Sequence, residues 1–272
     1  MEWWLAGLLG VVQGITEFLP ISSSAHLRIV PPLVGSDDFG ASFTAVTQIG
    51  TIFSVLIYFR NDLLNISKAL LKGSFNKSER NFDFKLGLSI LVATIPIALI
   101  GFLGQDFIRT SARNLYLVAI ILLLFSFVMY VADRFNKQEH DITEISSKQI
   151  FIIGLAQALA LIPGFSRSGA TITAARFLKI KREAAARVSF LLSVPAIVLS
   201  GIYEALDIST NNPVGWGPTI FATLIAFVVG YLSIAWLIRW LGKHSLTGFA
   251  IYRIILATIV LLLLNAQIIN PI

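Results

Sequence analysis

Six long apolar stretches are the feature that most restricts what this chain can fold into. Each contains roughly 20 residues, the number that an α-helix needs to cross the hydrocarbon core of a bilayer. Hydrocarbon offers no hydrogen-bond partners, so a helix that satisfies its own backbone groups is expected there. We therefore predict an all-α integral membrane protein with six full transmembrane helices. The predicted spans are residues 40–60, 86–104, 113–133, 188–206, 217–238 and 248–267.

The composition agrees with a single polytopic membrane domain over residues 1–272. Hydrophobic residues make up 56% of the chain and charged residues only 13%, whereas about a quarter of a soluble domain is charged. The absence of cysteine excludes disulfide and thiolate chemistry. The net charge of +6 comes without a basic patch interleaved with aromatic residues, so we expect no nucleic-acid partner. We assign the positive charge to cytoplasmic loops that face anionic lipid.

Two further apolar segments, residues 3–33 and 149–178, are interrupted by proline and serine. Each piece is too short to cross a bilayer, and serine at the break favours the start of a new helix. The segments resemble each other, since Ser22 and Ser166 occupy matching positions 144 residues apart, and three predicted spans follow each segment. The chain therefore reads as two repeat halves, residues 1–140 and 141–272.

Counting membrane crossings gives the two halves opposite orientations. If each interrupted segment is a re-entrant helical hairpin, three full spans per half produce an inverted-topology repeat, with a site near the bilayer midplane. Most of the 21 Lys and Arg residues then lie on one side, which the positive-inside rule places in the cytoplasm. Both termini are expected outside. The basic loops are residues 61–85, 134–149, 176–187 and 239–247, and the opposite loops are 105–112 and 207–216.

The first interruption carries residues suited to metal binding and proton transfer. Gln13 and Glu17 are four residues apart, so they share one helix face. Glu17 is a candidate metal ligand or base, and Gln13 a candidate ligand through its carbonyl, because Mg²⁺ sites combine one or two carboxylates with substrate phosphates. Ser23 is a candidate nucleophile or phosphate-binding group, and His26 a candidate to activate it or to act as an acid. The residues alone leave these roles open.

The second interruption, within PGFSRSGAT, is suited to binding an anion. Ser166 or Ser168 is placed to cap the helix that follows, as Ser22 is in the first half. A helix N-terminus binds phosphate readily, and the guanidinium of Arg167 matches phosphate oxygens in pairs. Thr171, one turn later, either binds substrate or bonds back to its own helix. Two such helix ends meeting from opposite faces predict a pocket for an anion with more than one phosphoryl group.

These motifs resemble a known family. QGITEFLPISSSAH is similar to the first motif of the bacterial undecaprenyl-diphosphate phosphatases, also called bacitracin-resistance proteins: a Glu or Gln, a Glu, a Pro-x-Ser-Ser stretch and a His. PGFSRSGAT matches their second motif, PGxSRSxxT, at every specified position. Chain length and span order match too, so the resemblance covers essentially the whole chain. Gln13 is the one variation, since glutamate is the alternative there, and it leaves one carboxylate fewer.

The resemblance implies hydrolysis of undecaprenyl diphosphate to undecaprenyl phosphate and phosphate, which regenerates the lipid carrier for peptidoglycan and other envelope polymers and confers bacitracin resistance. It implies a divalent cation, Mg²⁺ first with Ca²⁺ or Mn²⁺ as alternatives. It also implies a multi-pass protein of the bacterial plasma membrane whose site opens to the outside. Carried over, the metal ligands are Gln13 and Glu17, the catalytic residues Glu17, Ser23, His26 and Arg167, and the phosphate-binding residues Ser22, Ser166, Arg167, Ser168 and Thr171.

Other functions stay open. Broken helices in inverted halves are also the architecture of transporters, so a flippase of polyprenyl phosphate or a carrier of small anions is the alternative. Glu17, His26 and Ser23 favour the hydrolase, because a pure anion carrier has little use for a metal-binding carboxylate and an acid–base group. Intramembrane Glu17 and Arg167 argue against a mere scaffold. Arg253 is expected to neutralise Glu17 or Glu204, or to extend to the interface. The oligomeric state is open, with a homodimer as one option.

Overall fold

A computed structural model describes residues 1–36, 39–104, 114–207 and 215–271. Within these ranges the chain forms eleven α-helices, and a 3₁₀ turn over Ala158–Leu161 extends the seventh. In chain order they are α1 (Trp3–Phe18), α2 (Ser23–Leu33), α3 (Gly40–Tyr58), α4 (Arg60–Phe75), α5 (Phe82–Leu103), α6 (Leu115–Phe135), α7 (Ser147–Gln157), α8 (Arg167–Phe177), α9 (Arg182–Asp207), α10 (Trp216–Leu241) and α11 (Thr247–Asn265).

Five of these helices are long and apolar enough to cross a membrane, namely α5, α6, α9, α10 and α11. Helix α3 supplies a sixth candidate together with α4, from which it is bent by 76°. The prediction of an all-α membrane protein is confirmed. The predicted loops 105–112 and 207–216 lie almost entirely outside the described residues.

Residues 61–85, predicted as a loop, contain helix α4, so that prediction was wrong. The buried residues Ile66, Ala69 and Gly73 recur at spacings of three and four and form one apolar stripe. The ring of Phe84, at the start of α5, lies so close to Gly73 that any side chain there would overlap it. Tertiary packing against α5 therefore stabilises a helix whose exposed face is too polar to resemble a membrane span.

The two short helices α1 and α7 each lie along one long helix, α1 along α10 and α7 along α5. Phe18, the last residue of α1, contacts Gly230 near the middle of α10, so α1 ends halfway along its neighbour. A Cβ on Gly10 would lie 2.5 Å from the carbonyl oxygen of Ala222 in α10. Glycine at these positions lets the helix backbones approach closely, which brings each short helix into the interior of the bundle.

The remaining long helices enclose these short ones. Helices α3 and α10 pack together on one side, and α9 packs against α5 and α8. Helices α6 and α11 form a third pair around Leu115, Leu122, Ala257 and Val260, all of which are buried. The two breaks, one between α1 and α2 and one before α8, are therefore surrounded by the long helices of the bundle.

A buried ion cluster fixes the far end of α8. The carboxylate of Asp133, in α6, accepts hydrogen bonds from Arg176 (3.0 Å), Arg182 (2.7 Å) and the backbone N–H of Leu246 (2.8 Å). Arg176 also donates to the carbonyl oxygens of Asn136 and other residues that follow α6. Because buried charges are costly without partners, this cluster specifies where α8 ends and α9 begins.

We predict that Gly154→Ala destabilises the protein, because the new Cβ would lie 2.2 Å from the backbone oxygen of Ala93 in α5. Overpacking of this kind costs about 1–3 kcal/mol. Thermal unfolding in detergent measures the effect. Gly248→Ala is the matched control, since nothing lies within 4 Å of its added Cβ. Equal melting temperatures for the two variants would contradict the contact between α7 and α5.

Candidate functional site

The two helix breaks have the same local geometry. Ser22 and Ser166 both adopt positive φ angles, 75° and 70°. Each caps the helix that follows: the Ser22 hydroxyl accepts from the N–H of Ala25 at 3.4 Å, and the Ser166 hydroxyl from that of Gly169 at 3.1 Å. Positive φ is strained for a residue other than glycine, so the surrounding structure must hold both serines in place. As predicted, serine starts the second helix of each interrupted segment.

Residues from both breaks line one cavity of about 160 Å³. The N-termini of α2 and α8 meet there, so the two interrupted segments converge as the sequence predicts. Helix N-termini attract anions through their free N–H groups and dipole. The lining residues are Gln13, Glu17, Ser23, Ser24, Thr44, Gln48, Ala160, Ser166 and Arg167.

Glu17 is the centre of the hydrogen-bond network in this cavity. One carboxylate oxygen accepts from the hydroxyl of Ser23 at 2.8 Å and from the amide of Gln13 at 3.0 Å. The other accepts from the amide of Gln48 at 3.3 Å. The carboxylate is thus held in one orientation by three neutral donors, and the Ser23 hydroxyl is placed to give it a proton.

Arg167 faces Glu17 across the cavity, with 3.8 Å between a guanidinium nitrogen and the carboxylate. That distance is too long for a hydrogen bond. Its Nε and Nη1 atoms are buried and have no hydrogen-bond partner within the described part of the chain. Buried donors without partners cost free energy, and an oxyanion would satisfy them. The donors of Arg167 are therefore better placed to bond an anionic ligand than to bond the carboxylate of Glu17.

The same cavity has donor atoms that fit a divalent cation. The carbonyl oxygen of Gln13 is buried and lacks a hydrogen-bond partner among the described residues, and it lies beside the Glu17 carboxylate. No group of three or more His, Cys, Asp or Glu side chains able to hold a metal occurs in the described ranges. Gln13 and Glu17 would thus supply only part of a coordination shell, which is the arrangement Mg²⁺ uses when substrate phosphates complete it.

His26 does not line this cavity. Its ring lines a second, apolar cavity of about 480 Å³. One ring nitrogen is hydrogen-bonded to the carbonyl oxygen of Ser22 at 2.7 Å, and the other to the hydroxyl of Tyr252 at 2.7 Å. The structure brings Glu17, Ser23 and Arg167 together but places His26 one turn along α2, pointing elsewhere.

Three of the predicted phosphate-binding residues are buried in the scaffold around the cavity. Ser22 is the helix cap described above. The Ser168 hydroxyl donates to the carbonyl oxygen of Leu19 at 3.2 Å and so joins the two breaks directly. Thr171 bonds back to Arg167 within α8 at 2.8 Å and lies 2.6 Å from the hydroxyl of Ser189 in α9. Of the predicted set, only Ser166 and Arg167 line the cavity.

Sequence reasoning missed two contributors from α3, Thr44 and Gln48, which line the cavity opposite α1. The available signal was a glutamine one turn after a threonine inside a predicted membrane span. Polar side chains at such positions are costly unless they serve a site or find a partner.

The expectation that Arg253 neutralises Glu17 was wrong. This guanidinium is fully buried and donates to backbone carbonyl oxygens at both breaks, including Gly164 at 2.8 Å and Pro20 at 3.3 Å. The other expected partner, Glu204, lies outside the residues whose side chains are described. The reason is that the breaks leave carbonyl groups without helical partners, and a buried arginine can satisfy several of them at once.

Fold and cavity together define a class: a polytopic helical membrane protein with a cavity between two interrupted segments that is suited to binding an anion such as phosphate. The family model for bacitracin resistance protein BacA matches residues 6–259. The undecaprenyl-diphosphatase of Corynebacterium efficiens is 47% identical over 274 residues, covering all of this chain and 94% of the relative. That of Mycolicibacterium vanbaalenii is 46% identical over 278 residues, covering both chains fully. The chain belongs to the BacA family, which confirms the resemblance seen in its motifs.

We predict that Arg167→Lys weakens binding of inorganic phosphate about tenfold, because an ammonium cannot replace the paired donors of a guanidinium. Isothermal titration of the detergent-solubilised protein measures the affinity. Arg134→Lys is the control, since that arginine is exposed and remote from the cavity. Unchanged affinity in Arg167→Lys would show that phosphate binds elsewhere.

Proposed function

We propose that this protein is an undecaprenyl-diphosphatase, which hydrolyses undecaprenyl diphosphate to undecaprenyl phosphate and inorganic phosphate. The observation that carries the proposal is the meeting of Glu17 and Arg167, from opposite interrupted helices, in one cavity with unpaired donors. The relatives named above support the substrate. Release of the monophosphate regenerates a lipid carrier for envelope polymers, and this is the activity by which we account for bacitracin resistance.

The diphosphate binds at the second break. Arg167 supplies buried donors, and the first turns of α2 and α8 supply backbone N–H groups and positive dipole ends. Phosphoryl transfer depends mainly on positioning and on neutralising charge at the equatorial oxygens. These groups provide both, because the capped helix starts and the network around Glu17 are already fixed before substrate arrives.

Glu17 acts as the base. Either the Ser23 hydroxyl or a water molecule in its place attacks the terminal phosphorus, and its proton passes to the Glu17 carboxylate, 2.8 Å from the serine oxygen. A new P–O bond forms, the bridging P–O bond breaks, and the prenyl monophosphate leaves with the electron pair. A phosphoserine formed by the first route is then hydrolysed by water. His26 is disfavoured as the nucleophile, because both of its ring nitrogens are already hydrogen-bonded.

A divalent cation, Mg²⁺ first, is proposed at Gln13 and Glu17. When bound, it would neutralise charge on the phosphate oxygens. With a single carboxylate in the protein shell, affinity in the absence of substrate is expected to be low, because charge on the ligands sets the strength of such sites. Gln13 agrees with this low expected affinity, because glutamate, the alternative at its position, would add a second carboxylate.

We predict that purified protein releases phosphate from a polyprenyl diphosphate with Mg²⁺ and not with EDTA. Arg167→Ala and Glu17→Ala should each lower kcat by at least about 100-fold, as loss of an oxyanion-stabilising or proton-accepting group does. Colorimetric phosphate release measures the rate.

The matched control is Glu139→Ala, which removes an exposed carboxylate paired with Lys179. It should retain the wild-type rate. Full activity in Arg167→Ala or Glu17→Ala would disprove the assignment of the site, and absence of phosphate release by the unaltered protein would disprove the function itself.

A lipid or anion transporter is the competing proposal, since interrupted helices also line transport sites. The hydrogen bond from Ser23 to Glu17 favours hydrolysis, because a proton donor aligned with a base serves bond cleavage and adds nothing to anion passage. Transport without phosphate release in proteoliposomes would reverse the preference.

For the membrane arrangement we propose six spans and two re-entrant hairpins in an inverted repeat, within the bacterial plasma membrane. The support is the matched geometry of the halves: the serine caps agree in φ, and Gly10 and Gly154 approach equivalent long helices in the same way. We place both termini and the opening of the cavity outside, following the basic loops.

We predict that cysteines introduced at Lys72 and Lys181 resist a membrane-impermeant thiol reagent applied to intact cells, because both positions lie on the cytoplasmic side of the inverted arrangement. A cysteine at the exposed Glu2 should react. The chain contains no other cysteine, so mass spectrometry reads each site without background. Labelling at Lys72 or Lys181 before permeabilisation would rule out the proposed topology.

A further inference from the structure

Arg253, in α11, is a fully buried charge that the hydrolysis scheme leaves unused. We propose that Arg253 is a positioning residue, which sets the distance between the two helix breaks and thereby holds Glu17 and Arg167 on opposite sides of one cavity. This inference rests on the proposed function for its catalytic consequence, although its geometry stands independently.

The guanidinium bonds to both breaks at once. Nη1 donates to the carbonyl oxygens of Pro20 and Phe165, both at 3.3 Å, and Nη2 donates to that of Gly164 at 2.8 Å. Nε donates to the hydroxyl of Ser126, in α6, at 3.0 Å. One rigid planar group thus connects the first break, the second break and a transmembrane helix.

Within the described ranges, no backbone N–H bonds to these carbonyl groups. Pro20 and Gly164 lie where the helices are interrupted, so their carbonyl oxygens are outside any helical ladder. A backbone polar group that is unpaired at membrane depth costs several kcal/mol. Since Arg253 satisfies oxygens of both segments, separating the segments would leave carbonyls unpaired on each side, and this makes their relative position stiff.

The bonded carbonyls are adjacent to the cavity. Phe165 immediately precedes Ser166 and Arg167, which line it. At the first break, Leu19 precedes Pro20, and its carbonyl oxygen accepts a hydrogen bond from the hydroxyl of Ser168. A shift of either break would therefore move the groups that bind and attack the diphosphate. A misplacement of about 1 Å can lower a catalysed rate about 100-fold.

The hydrogen-bond acceptors of Arg253 are all uncharged. It is bonded to carbonyl and hydroxyl oxygens, and no carboxylate lies within 4 Å of it in the described ranges. Its positive charge is thus not neutralised locally, and at low dielectric it raises the affinity of the neighbouring cavity for an anion. A lysine would keep the charge but could not reach all four acceptors in one plane.

Arg176, in α8, offers a matched comparison. It too is fully buried and bonded to carbonyl oxygens, but it is neutralised by Asp133 and lies at the opposite end of α8 from Arg167. Loss of Arg176 should therefore destabilise the fold without altering the site in the molecules that remain folded.

The experiment compares Arg253→Met, Arg253→Lys and Arg176→Met in detergent, using only the monodisperse fraction. The readouts are melting temperature, kcat on a polyprenyl diphosphate, and the Kd for inorganic pyrophosphate. We expect kcat to fall about 100-fold in Arg253→Met, with a weaker Kd from the lost charge. Arg253→Lys should keep most of the affinity but still lose kcat. Arg176→Met should lose melting temperature alone.

Wild-type kcat and Kd in folded Arg253→Met, or the same losses in Arg176→Met, would overturn the inference. If Arg253→Met does not fold, Arg253→Lys decides, and a wild-type kcat there is the contrary result. If the unaltered protein releases no phosphate from the lipid but pyrophosphate affinity still falls in Arg253→Met, the proposed function fails while the contribution of Arg253 to the anion site stands. If pyrophosphate affinity is also independent of Arg253, both fail.

Discussion

Backbone carbonyl groups that leave a helix inside a bilayer must find donors, and the structure around the site depends on how this chain supplies them. The two interruptions expose carbonyls at Pro20, Gly164 and Phe165, and a single guanidinium from α11 satisfies all three. The interruptions create the helix N-termini that attract an anion, so the cost of breaking the helices and the means of binding substrate have the same origin. Arg253 offsets that cost at both breaks together, which forces them to share one location.

The two helix breaks match in backbone geometry but not in chemistry. At an offset of 144 residues, Leu161 stands where the first half has Glu17, and Arg167 stands where it has Ser23. Gln157, the counterpart of Gln13, is buried with neither amide atom hydrogen-bonded among the described residues, as follows when its carboxylate partner is replaced by leucine. One half thus supplies a carboxylate and a hydroxyl, and the other supplies a guanidinium. Neither half contains a complete site, so convergence of the breaks is required for function.

Much of this arrangement could be predicted from the sequence, because its strongest signals are local. Three local patterns each predict one structural feature. Apolar runs of span length predict transmembrane helices, serine after proline predicts a helix start, and the four-residue spacing of Gln13 and Glu17 predicts a shared helix face. Helix α4 was missed because it is too polar to cross a membrane, although Ile66, Ala69 and Gly73 recur at helical spacing. His26 was placed with the catalytic group by its proximity in sequence to Ser23, whereas the helix turns it toward Tyr252. The carbonyl partners of Arg253 could not be predicted, since they are backbone atoms more than 80 residues away in sequence.

The electrostatic balance explains why an arginine bonded to carbonyls serves this site better than one bonded to a carboxylate. At the far end of α8, Asp133 takes bonds from Arg176 and Arg182 and fixes structure, but it also cancels much of their charge. Near the cavity the balance is reversed: Glu17 contributes one negative charge, while Arg167 and Arg253 contribute two positive ones. A net positive interior is unfavourable in a low-dielectric medium unless an anion arrives. Binding of the diphosphate relieves this unfavourable charge and so contributes favourable free energy. That contribution is smaller once the terminal phosphate has left, which favours release of the singly phosphorylated lipid.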